Sequence, residues 1–244
     1  MNLDPHKTVR ELALEVPNAV RVFEQSKIDY CCGGDQPLSE ACARARVKVE
    51  KISRMLDEVE APRPDASVAD FRSMRLAQLT DYIVKKHHVF TMHELQRLKE
   101  LLDNVCSAHG GNHPELLQIR STFRELCADL GPHMFKEEQI LFPYLDQLDR
   151  ASVGETRPPF VPFGTVRNPI SMMMQEHDAA GDLLREIRKL SRDFGVPADG
   201  CASYRTLYTG LEELESDLHQ HIHLENNILF PRAAKLEDDL FTSR

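Results

Sequence analysis

The sequence predicts an all-α protein in which a small helical N-terminal domain precedes an up-down-up-down four-helix bundle. From about residue 75 onward, apolar residues recur with a period of about 3.6, as on the buried face of an amphipathic helix. No stretch shows the alternation and hairpin turns typical of β-strands. A Pro-rich segment divides the chain, so we expect a small domain over residues 1–60, a linker over 61–74 and the bundle over 75–244.

The first part of the chain is predicted to fold as short helices. Thr8 can cap a helix, with Glu11 three residues later as its capping-box partner. Ser39 precedes a helix that we expect to run to about Val59. Between them, the segment Tyr30-Cys31-Cys32-Gly33-Gly34 predicts a turn, because paired glycines permit backbone angles that other residues resist.

The linker and the bundle helices follow from local sequence. The segment Ala61-Pro62-Arg63-Pro64-Asp65 is stiff and cannot continue a helix. Beyond it, the apolar period and its interruptions define four long helices. We expect these helices over residues 75–105, 114–149, 166–193 and 200–238.

Composition excludes several classes of function. A net charge of −9 without a basic cluster argues against a nucleic-acid surface. The segment from Met1 to Glu15 lacks the apolar core expected of a signal peptide, and no apolar run approaches the roughly 20 residues that span a bilayer. Six cysteines then indicate reduced thiols in a cytoplasmic protein. A homodimer is neither indicated nor excluded.

One motif occurs twice in the bundle. His133 and Glu137 lie four residues apart, and His221 and Glu225 repeat this spacing. Each pair is followed at the same distance by Ile-Leu-Phe-Pro. Residues four apart project from one face of a helix, so each copy presents an imidazole beside a carboxylate. The repeat therefore predicts a metal site.

Each copy is also preceded by a histidine on the apolar stripe of the previous helix. These are His87 and His177, at closely similar distances from the motif that follows. In an up-down-up-down bundle the four histidines and two glutamates meet in one layer. His88 is intermediate between the apolar and polar faces and stays open as the alternative to His87. His223, which flanks a ligand, is expected to be exposed.

The predicted donors suit a site for two metal ions. Imidazoles and carboxylates without thiolates fit iron, manganese or zinc. Two shared carboxylates can bridge two ions, leaving two imidazoles for each, and an oxo or hydroxo group can bridge them as well. Open positions on adjacent redox metals favour O2 or NO, so iron is the better functional hypothesis, although ligand type does not exclude zinc.

Adjacent Cys31 and Cys32 form a separate signal. They could form a vicinal disulfide, bind a soft metal or take part in thiol exchange, or the turn could carry no chemistry. The other cysteines are expected to be small buried residues: Cys42, Cys106, Cys127 and Cys201.

The motifs together resemble the repair-of-iron-centres (RIC) family over nearly the whole chain. The resemblance rests on the Tyr30-Cys31-Cys32-Gly33-Gly34 turn, the two long motifs and Glu176-His177-Asp178. It implies a small helical domain joined to a hemerythrin-like bundle that holds two non-haem iron ions. By the same resemblance, Glu137 and Glu225 bridge the irons. The terminal ligands that it implies are His87, His133, His177 and His221.

The resemblance also implies a function. Family members are associated with repair of iron-sulfur clusters damaged by nitric oxide or oxidative stress, with the damaged proteins as clients. Iron donation from the di-iron centre is consistent with that role, and Cys31 and Cys32 would help delivery or thiol redox chemistry. Two alternatives stay open. One is enzymatic reduction of nitric oxide at the two irons, and the other is oxygen or redox binding.

Overall fold

All regular secondary structure in the described part of the protein is helical. A computed structural model describes residues 3–16, 19–31, 33–58 and 71–242. Within these ranges there is no β-strand, and an isolated bridge joins Thr8 and Pro37. The predicted all-α class is therefore confirmed. Among the same residues, no helix combines the length and the apolar character that crossing a membrane would need.

The chain divides into two compact units. One comprises residues 1–74 together with 222–228, and the other comprises 75–221 together with 229–244. The fourth bundle helix therefore contributes a short stretch to the first unit. Residues 61–70 of the predicted linker lie outside the described residues.

Four short helices surround the core of the first unit. Thr8 caps α1 as predicted: its hydroxyl accepts a hydrogen bond from the Glu11 N–H at 3.1 Å, and the Glu11 carboxylate accepts one from the Thr8 N–H at 2.8 Å. Apolar side chains from all four helices are buried together, among them Val9, Phe23 and Ile52. The helices are α1 (Val9–Glu15), α2 (Ala19–Gln25), α3 (Leu38–Arg44) and α4 (Val49–Glu58).

The prediction of one helix from Ser39 to about Val59 is wrong, because α3 and α4 are separate. Arg46 has a φ of 56°, in the left-handed region. The N–H of Val47 bonds to the Cys42 carbonyl, and the N–H of Arg46 bonds to the Ala43 carbonyl. This is a Schellman C-cap. Its left-handed position usually holds glycine, so an arginine there gave no sequence signal.

Four long helices form the bundle, and their bounds lie within a few residues of those predicted. Helices 1, 2 and 4 are each interrupted by one π-helical turn. Helix 1 comprises Leu76–Ile83, the π turn Val84–His88 and Val89–His109. Helix 2 comprises Glu115–Lys136, the π turn Glu137–Leu141 and Phe142–Ser152; helix 3 is Arg167–Leu190; and helix 4 comprises Ala202–Leu224, the π turn Glu225–Leu229 and Phe230–Thr242.

The repeated Phe-Pro pair directly follows two of the π turns. Pro143 and Pro231 stand just after the π turns of helices 2 and 4. Proline has no N–H and crowds the carbonyl one turn earlier, so one α-helical hydrogen bond is lost at each of these positions. An extra residue in a π turn accommodates this interruption. Helix 1 has its π turn without a proline.

A buried carboxylate ties the end of the long connection to the bundle. Glu237 accepts hydrogen bonds from the Tyr144 hydroxyl and the Thr165 hydroxyl, both at 2.6 Å. The backbone N–H of Val166 also donates to it at 2.9 Å. Because Val166 begins helix 3, the carboxylate also meets the positive end of that helix. Glu237 therefore fixes the point at which helix 3 starts.

We expect Glu237→Ala to lower the free energy of unfolding by about 3 kcal/mol, because it leaves several buried donors without an acceptor. Chemical denaturation measures the change. Asp238→Ala is the matched control, because this half-exposed neighbour forms a surface ion pair with Arg167, and such pairs contribute less than about 1 kcal/mol. Equal stability of the two variants would contradict the anchoring role.

The cysteines outside the turn do not all share one environment. Cys42 and Cys106 are buried as expected, and Cys127 is half-buried. Cys201 differs from the prediction, since it is exposed and its sulfur lies 3.2 Å from Nε2 of His109. The N–H of Tyr204 and the His109 ring lower the pKa of the Cys201 thiol to about 7. Burial raises the pKa of the Cys127 thiol to about 11.

Among the cysteines that the structure describes, Cys201 is therefore expected to react first with an alkylating agent. Its alkylation rate should rise with pH through a midpoint near 7, because the thiolate is the nucleophile and deprotonation is half complete there. His109→Ala should move that midpoint upward, toward the ordinary thiol pKa. Mass spectrometry of iodoacetamide-treated protein at several pH values measures both rates, with Cys127 as the internal unreactive control. A midpoint unaffected by His109→Ala would refute the pairing.

Candidate metal centre

Four imidazoles and two carboxylates meet inside the bundle as two groups of four. One group consists of His88, Glu137, His221 and Glu225, and the other consists of His133, Glu137, His177 and Glu225. In each group the donor atoms all lie within 4.8 Å of one another, and every member is buried. Both groups include both carboxylates. The arrangement therefore offers two overlapping sets of donors, with two imidazoles specific to each.

The imidazoles present their Nε2 atoms to one another. Nε2 of His88 and Nε2 of His221 are 3.2 Å apart, and those of His133 and His177 are 3.0 Å apart. Oε2 of Glu137 lies 3.5 Å from Nε2 of His88 and 3.3 Å from Nε2 of His133. One carboxylate oxygen is thus close to one imidazole of each group, as a bridging ligand requires.

Two of the imidazoles have carboxylate partners on their outer nitrogens. Nδ1 of His88 lies 2.8 Å from Oε1 of Glu138, and Nδ1 of His133 lies 2.8 Å from Oε2 of Glu176. Partners of this kind fix the tautomer, with the proton on Nδ1 and the lone pair on Nε2, which is the form that binds a cation. Lys136 also donates to Glu176. Burial raises the pKa of Glu176, but hydrogen bonds from Lys136 and His133 outweigh it and lower the pKa overall.

The phenylalanines of the repeated Ile-Leu-Phe-Pro segment pack on ligand rings. Phe142 stacks on His88 with 5.7 Å between ring centroids, and Phe230 stacks on His177 at 6.1 Å. Both phenylalanines are buried. The second half of the repeat therefore restricts imidazole rings, one in each group, and excludes water from one side of them.

The structure places His88, and not His87, with the other donors of helix 1. His87 is buried as well, but its Nδ1 lies 3.1 Å from Oδ1 of Asp217, and its ring stacks on that of His221 at 5.7 Å. The sequence expectation of His87 therefore differs from the geometry. A π turn spans Val84–His88 and inserts one extra residue, which shifts the helical phase by one position. A stripe drawn with a 3.6 period cannot anticipate that shift.

Two further buried polar residues lie in the stretch 222–228 of helix 4, which belongs to the first unit and carries Glu225. His223, expected to be exposed, is only 6% exposed, and Asn227 is 5% exposed. Nδ2 of Asn227 donates to the Tyr30 carbonyl at 3.1 Å and contacts Nδ1 of His223 at 2.7 Å. Burial lowers the pKa of His223 to about 4, so this imidazole is neutral near pH 7.

The predicted thiol pair lies in the same unit. Cys31 is 2% exposed, and its backbone N–H donates to Oδ1 of Asp29 at 3.1 Å. Its thiol donates to the same oxygen at 3.4 Å. Cys32 lies outside the described residues.

The donor set fits iron. Six buried side chains supply nitrogen and oxygen donors of borderline to hard character, and no thiolate belongs to either group among the described residues. Buried carboxylates next to several imidazoles are stabilised by a cation, whose charge compensates for lost hydration. Two positions sharing both carboxylates can accommodate two cations.

Comparison with known families gives two matches. Residues 79–233 match the family described as the hemerythrin HHE cation binding domain. Residues 5–60 match ScdA_N, described as a domain of unknown function, DUF542. The first match covers all six donors and most of the bundle. With the buried histidines and glutamates, it indicates a non-haem iron site.

Curated relatives match the chain almost from end to end. The chain is 36% identical to "Iron-sulfur cluster repair protein YtfE" of Salmonella typhimurium over 224 residues, covering 91% of this chain and 94% of the relative. The YtfE protein of Musicola paradisiaca is 34% identical, with 95% and 97% covered. A "Probable iron-sulfur cluster repair protein" of Haemophilus influenzae is 32% identical, with 91% and 94% covered. The chain therefore belongs to the repair-of-iron-centres family.

Proposed function

We propose that this protein repairs iron-sulfur clusters damaged by nitric oxide or oxidative stress, by donating iron from a non-haem di-iron centre. The observation that carries the proposal is that two buried groups of donors share both Glu137 and Glu225. The names of relatives matched over at least 91% of the chain support the repair role. Damaged iron-sulfur proteins are then the clients.

The proposed ligands follow from the two groups. His88 and His221 belong to one iron, His133 and His177 belong to the other, and Glu137 and Glu225 bridge them. His88 replaces His87 in this assignment. Each iron then has four protein donors, fewer than the six of an octahedral ion, so an oxo or hydroxo bridge and an open position for nitric oxide or O2 complete the proposal.

The surroundings of the ligands suit a store that gives up its iron. The ligand imidazoles of helices 1 and 2 are at most 3% exposed, but the carboxylates that contact their outer nitrogens, Glu138 and Glu176, are about a third exposed. A single side chain therefore separates those ligands from solvent. An iron held by these ligands would be shielded from water and would still be one side chain away from solvent at His88 and His133.

The proposed role of the turn that carries Cys31 and Cys32 is delivery of iron or thiol redox chemistry. Cys31 is buried and bonded to Asp29, so the turn has to open before its sulfur can reach a partner. Iron leaving the bundle could then be passed on through Cys31 and Cys32. This role is separate from holding the resting metal site.

Iron transfer to a client is the decisive experiment. Iron-loaded protein is incubated anaerobically with an apo iron-sulfur protein and a sulfide source, and cluster assembly is followed by its visible absorption. We expect cluster formation with a matching loss of iron from the donor. Sustained production of nitrous oxide from nitric oxide, with iron fully retained and no cluster formed, would instead establish an enzyme.

Removing a bridging carboxylate is expected to empty the site. Glu137→Ala and Glu225→Ala should each lose most of their iron, because each carboxylate serves both groups. Metal analysis of freshly purified protein measures the content, and the absorption of an oxo-bridged iron pair should disappear with it. Glu125→Ala, an exposed position on helix 2, is the control and should keep its iron. Full iron content in either bridging variant would exclude the assignment.

The two adjacent histidines of helix 1 are expected to behave differently. His88→Ala should weaken metal binding by at least about ten-fold, because it removes a donor from one group. His87→Ala should retain the metal, since its imidazole contacts Asp217 and stacks on His221 without joining either group. Metal titration of the two variants under the same conditions compares them. The reverse order of affinities would restore His87 as the ligand.

A further inference from the structure

The stretch of helix 4 that carries Glu225 has a second buried side, which the metal site does not use. Residues 222–228 belong to the same compact unit as residues 1–74. From this stretch, the Asn227 amide donates to the Tyr30 carbonyl at 3.1 Å. The Tyr30 ring meets the ring of His223 edge to face, with 5.3 Å between centroids. The turn that carries Cys31 is therefore held by residues that neighbour Glu225.

The two copies of the repeated motif differ at the positions that make these contacts. His223 and Asn227 correspond in register to Phe135 and Gln139 of the first copy, and the neighbouring Ile228 corresponds to the identical Ile140. The three residues of the second copy are buried. Phe135 is 64% exposed, Ile140 is 52% exposed, and Gln139 is exposed too. Both copies keep the His-x-x-x-Glu spacing of the metal donors. The buried polar face of the second copy is therefore explained by its contact with the turn and not by metal binding.

Asn227 holds one peptide group of the turn. The carbonyl that it bonds belongs to the peptide between Tyr30 and Cys31, and Oδ1 of Asp29 accepts the N–H of that same peptide at 3.1 Å. Both polar atoms of the peptide are thus fixed by side chains. The Asn227 amide also contacts Nδ1 of His223 at 2.7 Å, which orients it toward the turn.

The same π turn carries a metal donor on its other side. Glu225 begins the π turn and is fully buried within both groups of donors. Residues two apart on a helix point in nearly opposite directions. The backbone between Glu225 and Asn227 is therefore restrained from two sides, by the Tyr30 turn and by whatever binds the carboxylate.

We propose that Asn227 is a positioning residue that couples the Tyr30–Cys31 turn to the metal-binding stretch of helix 4. The inference rests on the proposed function and adds a regulation to it. Opening of the turn, which Cys31 needs in order to react, breaks the Asn227 bond and loosens the stretch that carries Glu225. The metal is therefore held less tightly when the thiol is exposed. By thermodynamic linkage, metal binding also keeps the turn closed.

The first test compares zinc affinity in two matched variants of the full-length chain. Asn227→Ala removes the donor to the Tyr30 carbonyl, and Gln139→Ala changes the corresponding exposed position of the first copy. Competition with a chromophoric chelator measures zinc binding. We expect about ten-fold weaker binding by Asn227→Ala and unchanged binding by Gln139→Ala. Equal affinities in both variants overturn the coupling.

The comparison of zinc affinities tests this inference independently of iron donation. Failure of iron transfer to a client leaves the zinc comparison unaffected. If the wild-type chain binds no zinc or iron, the metal site is refuted, and the coupling with it.

A second test uses the wild-type chain, so it can refute the proposal even if Asn227→Ala fails to fold. Hydrogen exchange of the amides over residues 28–31 is measured in the wild-type chain without metal and with zinc. We expect slower exchange with zinc there, and no comparable change in α1. Identical exchange in the two states of the protein overturns the coupling.

Discussion

The bundle is organised around two buried carboxylates that are shared by four imidazoles. Glu137 and Glu225 are both fully buried, and each lies within 4.8 Å of donor atoms in both groups. A carboxylate is costly to bury without a compensating positive charge or hydrogen bonds. Helices 1, 2, 3 and 4 each contribute an imidazole to this layer, so the register of every helix is tied to the same point.

Local irregularity in the helices supports that layer. Helices 1, 2 and 4 have a π turn at a donor residue, whereas helix 3 runs without one. The apolar packing that continues along the bundle, through Leu98, Phe123, Leu184 and Leu214, has ordinary helical spacing. The π turns therefore adjust the direction of individual donors while the remainder of each helix keeps its packing. Such single π turns are frequently found at functional sites.

Much of the fold could be predicted from the sequence because it depends on periodicity that is visible there. The four bundle helices follow from a 3.6 period, and the Thr8 capping box follows from two side chains at a fixed spacing. The break between α3 and α4 could not be predicted, since an arginine occupies the left-handed position where glycine is usual.

The candidate metal site could likewise be predicted only in part from the sequence. The repeated spacing brought His133, Glu137, His221 and Glu225 into consideration, and the structure brings them together with His177. In helix 1 the sequence favoured His87, whereas the structure groups His88 with the other donors, because a π turn changes the phase without a proline or glycine to signal it. The contact of Asn227 with Tyr30 links residues distant in sequence, and local periodicity contains no information about such a pair. Cys201 looked like a core residue because burial of a single cysteine has no sequence pattern.

The distribution of donors over the two helical hairpins has a consequence for assembly. The hairpin of helices 1 and 2 supplies one imidazole and one carboxylate to each group, and the hairpin of helices 3 and 4 supplies the same to each. Neither hairpin alone has a complete set of four donors. A nascent chain that has folded only its first hairpin can therefore retain a cation only weakly, and tight loading reports that both halves of the bundle have docked.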